Sequence, residues 1–337
     1  MNEYPLLMSP YFRHGAQTPW GGSMLRDLFM KETPDEQTGE SLEVSALPER
    51  ESVVRNGIHA GKTLTRMAEI WGEGLTGPIG NVFPLLLKLI DARDSLSVQV
   101  HPTDDYAMQH ENKLGKTEAW IILNAEPGAK IVYGLDLKGR DLREVIENGE
   151  LESALHWENV RPGQVYYIPG GMVHALGAGI QVYEIQQSSD VTYRFWDWNR
   201  VGKDGKPREL HTEKALDVSN GNLHLSNIEG TTVLCKGGSR TYYISDANFE
   251  LCRLNVSGTM PIADGRMLFL TPTAPCTLQW AEDSLELEAF DSVVIPAAMT
   301  DVSIVGNTKV LMSSLPNREA LRKELGYRAE NVAGLTD

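Results

Sequence analysis

Residues 163–177 read GQVYYIPGGMVHALG. Val165, Tyr166, Tyr167 and Ile168 are strand formers, Pro169 ends the run, Gly170-Gly171 turns the chain, and His174 lies on the run that follows. β-Branched and aromatic residues bounded by Pro and Gly read as strand, turn, strand. The same pattern recurs on both sides, in EAWIILNA (118–125), AKIVYGL (129–135), IQVYEIQQ (180–187) and VTYRFWDW (191–198). Short strands with turn signals between them predict an antiparallel β-sandwich or barrel.

One of these strands carries an anomaly. In SLSVQVHPTDD (95–105), Val98 and Val100 fall on one face, and Gln99 and His101 on the other, because successive strand side chains alternate. A buried polar pair is costly unless it is hydrogen-bonded or bound to something. GKTEAW (115–120) puts Lys116 and Glu118 on one face of the next strand, and His174 follows the Gly-Gly turn. Gln99, His101, Glu118 and His174 together offer an amide oxygen, a carboxylate and two imidazoles. That donor set suits a borderline divalent cation such as Zn²⁺. It contains no thiolate, which excludes a finger-type structural site, and a position left open to water or substrate makes a metal catalytic. His14, His59, His110, His156, His211 and His224 lack comparable partners and read as ordinary polar residues.

Beyond the barrel, residues 1–50 read as irregular, rich in Gly, Pro and charge. IHAGKTLTRMAEIW (58–71), RDLREVIENGELESAL (140–155) and NREALRKELGYRAEN (317–331) read as helical, from the spacing of their apolar residues. VFPLLLKLIDA (82–92) reads as a buried strand. GEGLTG (72–77) matches GxGxxG. It follows a helix-like segment and runs into Pro78, whereas a dinucleotide fingerprint follows a strand and opens a helix, so nucleotide binding is rejected. The β pattern returns beyond a polar connection. The expected division is a catalytic domain over 1–225, with irregular and helical N-terminal additions, and a second, smaller β-barrel or sandwich domain over 226–337.

The chain has 337 residues and a net charge of -15. That balance argues against nucleic acid, which is bound through clustered Lys and Arg, but allows an anionic small molecule met by a few local cations. The three cysteines, Cys235, Cys252 and Cys276, fit neither a disulfide framework nor a metal clip, and predict a reducing cytosol. With no signal peptide pattern and no apolar run near the ~20 residues that span a bilayer, the expectation is a cytoplasmic, soluble protein without a membrane partner.

Gly163, Pro169, Gly171 and His174 match the second motif of the cupins, Gly-x5-Pro-x-Gly-x2-His, and the chain resembles that jelly-roll superfamily. Gln99 stands where the first cupin motif has its first His, and Glu118 follows His101 at a longer spacing than usual. In this the chain is similar to the type I phosphomannose isomerases, whose metal set contains Gln, His, Glu and His. PWGG (19–22), GESLEVSA (39–46), FPLLLKLIDARDSLSVQVHP (83–102), LGKTEAW (114–120) and SSDVTYRFWDWNR (188–200) carry the same resemblance. It is strong over about 1–220, and the length suggests the short bacterial form.

The resemblance implies Zn²⁺-dependent interconversion of mannose 6-phosphate and fructose 6-phosphate, with one ion per chain. The ligands would be Gln99, His101, Glu118 and His174, and Arg194 matches the family's active-site arginine. Aldose–ketose isomerisation through a cis-enediol(ate) builds negative charge on the sugar oxygens, and fixed cations stabilise it. Lys116 is a candidate acid/base, balanced against a salt bridge or a phosphate contact, with Glu184 and His110 as weaker candidates. Lys88, a charge within an apolar run, is either snorkelling at a strand edge or facing the phosphate. The resemblance favours the phosphate, with Arg13 and Arg200 as helpers. Tyr193, Phe195, Trp196 and Trp198 read as core more readily than as a sugar platform. The rival readings are an iron-dependent oxygenase, against which an amide ligand weighs, and a non-catalytic sugar-binding cupin.

Overall fold

The strand-forming runs in the middle of the chain pair antiparallel into two sheets. The structure is a computed structural model and describes residues 3–80, 83–202, 205–223, 225–281 and 283–335; His224 lies outside them. One sheet has six strands, in the order Val165–Ile168, Glu118–Ala125, Ile180–Gln187, Leu85–Ala92, Thr38–Val44, Tyr11–His14. The other has five, in the order Tyr193–Trp196, Val98–Val100, His174–Leu176, Lys130–Leu135, Leu155–Asn159. Strand alternation decides what each face buries. Trp120, Ile122, Tyr166, Ile168, Ile180 and Val182 of the first sheet share one apolar cluster with Ile131, Tyr133 and Leu176 of the second. The opposite face of the five-stranded sheet buries Val98, Val100, Val132, Ala175, Tyr193 and Phe195, with Ala215 of the helix Thr212–Val218 in the same cluster. This is the mainly β, jelly-roll cupin architecture expected from the sequence.

The Gly-Gly turn has a definite task. The chain leaves the six-stranded sheet after Ile168 and enters the five-stranded one at His174. Gly171 has φ +90°, a conformation glycine adopts without strain, and its N–H donates to the His101 carbonyl at 2.8 Å. A Cβ on Gly170 would press on the backbone of Pro102 and Thr103. The turn therefore seats against the segment that carries His101.

Contacts divide the chain into two units. Phe12–Ser41 with Leu89–Asn227 forms one, and Met1–Tyr11 with Leu42–Lys88 and Ile228–Asp337 forms the other. The second contains a ten-stranded antiparallel sheet and a core of Leu7, Cys252, Leu254, Leu268, Leu278 and Val310 among others. The sequence reading sets a single cut between 225 and 226. The grouping is discontinuous because the N-terminal strand Leu6–Ser9 pairs with Val293–Ile295, as Leu6 opposite Val294, and with Val53–Val54. Residues 1–50 are accordingly less irregular than their composition predicts. They hold three strands, and Thr38–Val44 is buried at every position.

Two expected helices are shorter than their apolar spacing suggests. The 58–71 helix begins at Leu64, where the Thr63 side chain accepts from the Arg66 N–H; Gly61 at φ +86° breaks the preceding turn, and Ile58 is exposed. The 140–155 helix splits into Leu142–Glu147 and Leu151–Ala154 around Gly149 at φ +71°. In GEGLTG, Gly72 caps the Leu64–Trp71 helix and Glu73–Thr76 forms one further turn, far from a phosphate-binding loop in form. No helix among the described residues is long and apolar enough to cross a membrane.

Gly177 ends the His174–Leu176 strand, and a Cβ there would stand against the Lys130 carbonyl oxygen. Overpacking of this kind costs about 1–3 kcal/mol. Gly177→Ala should lower the urea midpoint correspondingly, with little change in far-ultraviolet circular dichroism; an unchanged midpoint would contradict the packing described.

Candidate active site

The polar face of Val98–Val100 is one end of a row. Cross-strand partners project on the same side of a sheet, and the register aligns Arg194 with Gln99, Gln99 with His174, and His174 with Tyr133. Glu118 comes from the other sheet, flanked by Ile168 and Gln186. Leu176, Trp120 and Ile122 lie in the shared core cluster, and His174 and Glu118 keep their parity. The two sheets thus aim an imidazole and a carboxylate into the same interior.

The donor atoms of His101, Glu118 and His174 lie within 4.8 Å of one another. His174 Nε2 is 3.2 Å from Glu118 Oε1, and His101 Nε2 is 3.4 Å from Glu118 Oε2. All three are essentially inaccessible to solvent. Each imidazole is oriented from behind. His101 Nδ1 donates to the Val191 carbonyl at 3.0 Å, and His174 Nδ1 donates to the Met172 carbonyl at 2.8 Å. A carbonyl can only accept, so the proton sits on Nδ1 and the Nε2 lone pair faces Glu118. This is the tautomer a metal-binding histidine uses. Trp120 lies edge-on to His174, with ring centroids 5.5 Å apart, and donates its indole N–H to Glu184 at 2.8 Å.

Lys116 stands beside this cluster. Its Nζ is 2.7 Å from Glu118 Oε2 and 3.0 Å from His101 Nε2, and the residue is buried. Lys116 and Glu118 form an ion pair by distance, yet neither Glu118 oxygen has a partner of hydrogen-bonding geometry. Burial by itself would raise the pKa of Glu118. The Lys116 ammonium outweighs it and holds the carboxyl well below its ordinary range. Burial, and then Lys116, push the pKa of His101 down to about 3, so this imidazole is neutral.

Gln99 is half-buried at the rim. It turns its amide nitrogen to His174 Nε2 at 3.4 Å, and its oxygen lies 3.5 Å from the Ser97 hydroxyl. Gln99, expected as the fourth ligand, lies beside His174 with its amide nitrogen turned toward the imidazole. An ionised carboxylate without hydrogen-bond partners and two oriented lone pairs, closed off from water, form a donor set for a divalent cation. The residues present fit that group.

The remaining expected residues lie around this cluster or apart from it. Arg194 sits in the row beside Gln99, its Nη1 donating to the Glu209 carbonyl at 2.7 Å. Its Nε is buried without a hydrogen bond. Lys88 is buried on Leu85–Ala92. Arg13 pairs with Glu40, and Arg200 with Asp197 and the Ser95 carbonyl. His110 ends an exposed helix and stacks on Tyr106, outside the cluster. Tyr193 and Phe195 are core, and Trp196 and Trp198 pack on that core's edge. The Val191 and Met172 carbonyls that orient the histidines carry no signature in the sequence, because any residue supplies a main-chain oxygen.

Comparison with known proteins follows the geometry. Residues 13–127 match the model for the phosphomannose isomerase type I catalytic domain. The chain is 39% identical to the mannose-6-phosphate isomerase of Streptococcus mutans over 72% of this chain and 76% of that protein. It is 38% identical to mannose-6-phosphate isomerase ManA of Bacillus subtilis, over 80% and 85% respectively. The crystal structure of a mannose 6-phosphate isomerase from Bacillus subtilis superposes with a TM-score of 0.86 at 34% identity, covering 92% of this chain and 99% of that one.

The shifted protonation of the cluster has a measurable consequence in metal-free protein. The unfolded chain protonates His101 near 6.5, the folded chain near 3. Between these values the unfolded state binds more protons, so stability falls as pH falls. Glu118, whose folded pKa is also depressed, adds a loss of the same sign at still lower pH. The Tm of chelator-treated protein should therefore decline as pH falls below about 6.5, and His101→Asn should flatten the upper part of that decline. A Tm independent of pH over this window would show that His101 titrates normally.

Proposed function

Because the chain belongs to the type I phosphomannose isomerases, we propose that it interconverts mannose 6-phosphate and fructose 6-phosphate at the Gln99–His101–Glu118–His174 cluster, with Zn²⁺ as its metal. The observation that carries this reading is the Glu118 carboxylate, buried, ionised and flanked by two imidazole lone pairs. Zn²⁺ held by these residues supplies Lewis-acid stabilisation of charge developing on sugar oxygens.

The chain's own residues do the rest. Arg194, in register with Gln99, presents a permanent cation to the enediolate. Lys116, beside His101 and Glu118, acts as the acid/base. It takes the proton from C2 of the aldose and returns a proton to C1. Its burial keeps that proton out of exchange with bulk water. Lys88, buried on Leu85–Ala92, is proposed as the phosphate cation, as the resemblance to the family implies. The three cysteines are free, two of them buried, which supports placement in a reducing cytoplasm.

Removal of metal with a chelator should abolish turnover in an assay coupled from mannose 6-phosphate to glucose 6-phosphate, and stoichiometric Zn²⁺ should restore it. Activity that survives complete metal removal would overturn the assignment. Arg194→Lys should lower kcat about 10²–10³-fold, the loss typical of one transition-state donor, with metal content unchanged. Near-normal turnover of that variant would remove Arg194 from the reaction.

A further inference from the structure

Lys116 lies just outside the strand Glu118–Ala125, where its ladder with Ile180–Gln187 runs out. The ladder that joins Glu118 to Gln186 would, one step further, have the Thr117 N–H donate to the Gln187 carbonyl. That bond is absent, because the Gln187 carbonyl is turned away and accepts from the Ser189 N–H and from Gln186 Nε2, each at 2.7 Å. The Gln187 side chain takes over. Its Oε1 accepts from the Thr117 N–H at 2.8 Å, while the Gln187 N–H donates to the Thr117 carbonyl at 3.1 Å.

The other end of the same amide is equally committed. Gln187 Nε2 donates to Asp104 Oδ1 at 2.9 Å, and that oxygen also accepts from the Gly115 N–H at 2.8 Å. The N–H groups before and after Lys116 are thus held by one side-chain pair. The Lys116 N–H itself donates to the Pro102 carbonyl at 3.0 Å, and the Ser189 hydroxyl donates to the Leu114 carbonyl at 2.8 Å. Gly115 admits no Cβ, which would meet the backbone of Pro102, Thr103 and Asp104. Gln187 is buried, so its amide exchanges these bonds with nothing else.

We infer that Gln187, together with Asp104, is a positioning residue for Lys116: the pair stands in for the missing ladder bond and sets where the Lys116 Nζ lies relative to Glu118 and His101. It touches none of the reacting groups. The inference rests on Lys116 acting in the reaction.

Steady-state kinetics on the Zn²⁺-loaded full chain test it, with metal content and Tm recorded for every variant. Gln187→Ala should lower kcat about 10–100-fold, the cost of a slight misplacement at a reacting centre, while KM and metal content hold. In a Lys116→Ala background the same substitution should lower kcat no further, because residues acting through one group are not additive. Gln187→Glu keeps the size and the acceptor for Thr117 but sets a second carboxylate against Asp104, and should lose kcat likewise. Asp104→Ala should lose kcat likewise, while Asp104→Asn keeps the oxygen that accepts from Gly115 and Gln187 and should hold most of it, which keeps the test valid if Gln187→Ala does not fold. An unchanged kcat in Gln187→Ala, Gln187→Glu or Asp104→Ala, a loss in Asp104→Asn as large as that in Asp104→Ala, or an equal further loss in the Lys116→Ala background overturns the inference. If Lys116→Ala alone leaves kcat intact, the reading of Lys116 falls and the inference with it, and that result is seen before Gln187 is changed.

Discussion

A single buried negative charge organises this protein's chemistry. Glu118 is fully enclosed between two sheets, where an unpaired carboxylate would either take up a proton or unfold its surroundings. It stays ionised because Lys116 Nζ lies 2.7 Å from it, while His101 and His174 converge on it with their lone pairs. The fold has to bring those four side chains together from separate segments while excluding water. The two imidazoles hold their lone pairs inward only because backbone carbonyls occupy the other ring nitrogens.

The architecture meets that demand through register and parity. One sheet delivers Arg194, Gln99 and His174 side by side across three neighbouring strands. The other delivers Glu118 from a strand whose next inward residues, Trp120 and Ile122, are core. Slipping any of these strands by one residue would exchange the polar row for the valines behind it. The Gly170-Gly171 turn carries the chain between the sheets and docks on the His101 carbonyl, so the motif that marks the family also sets the spacing between His101 and His174.

Much of this was legible in the residues. The period-two alternation of SLSVQVH assigned Val98 and Val100 to one face and Gln99 and His101 to the other, and the structure has Val98 and Val100 in the outer core cluster. The same rule linked Lys116 to Glu118. Less legible were the segments whose structure depends on distant partners. Residues 1–50 look irregular because their strands are short and rich in Gly and charge. They become strands by pairing with segments as remote as Val293–Ile295. His110 and His101 are both histidines near acidic residues, and only the packing shows that one is exposed on a helix and the other enclosed.

The sequence by itself determined the class of structure and which residues could serve as donors. Side-chain alternation and turn residues are local properties, and a metal's preference for imidazole, carboxylate and amide donors depends on residue type alone. Tertiary structure alone decided how those donors are held: which nitrogen of each imidazole carries its proton, which way the Gln99 amide faces, and how Gln187 and Asp104 clamp the backbone on either side of Lys116. Those features depend on main-chain oxygens and on contacts between residues up to 90 positions apart, and neither leaves a mark in the order of the amino acids.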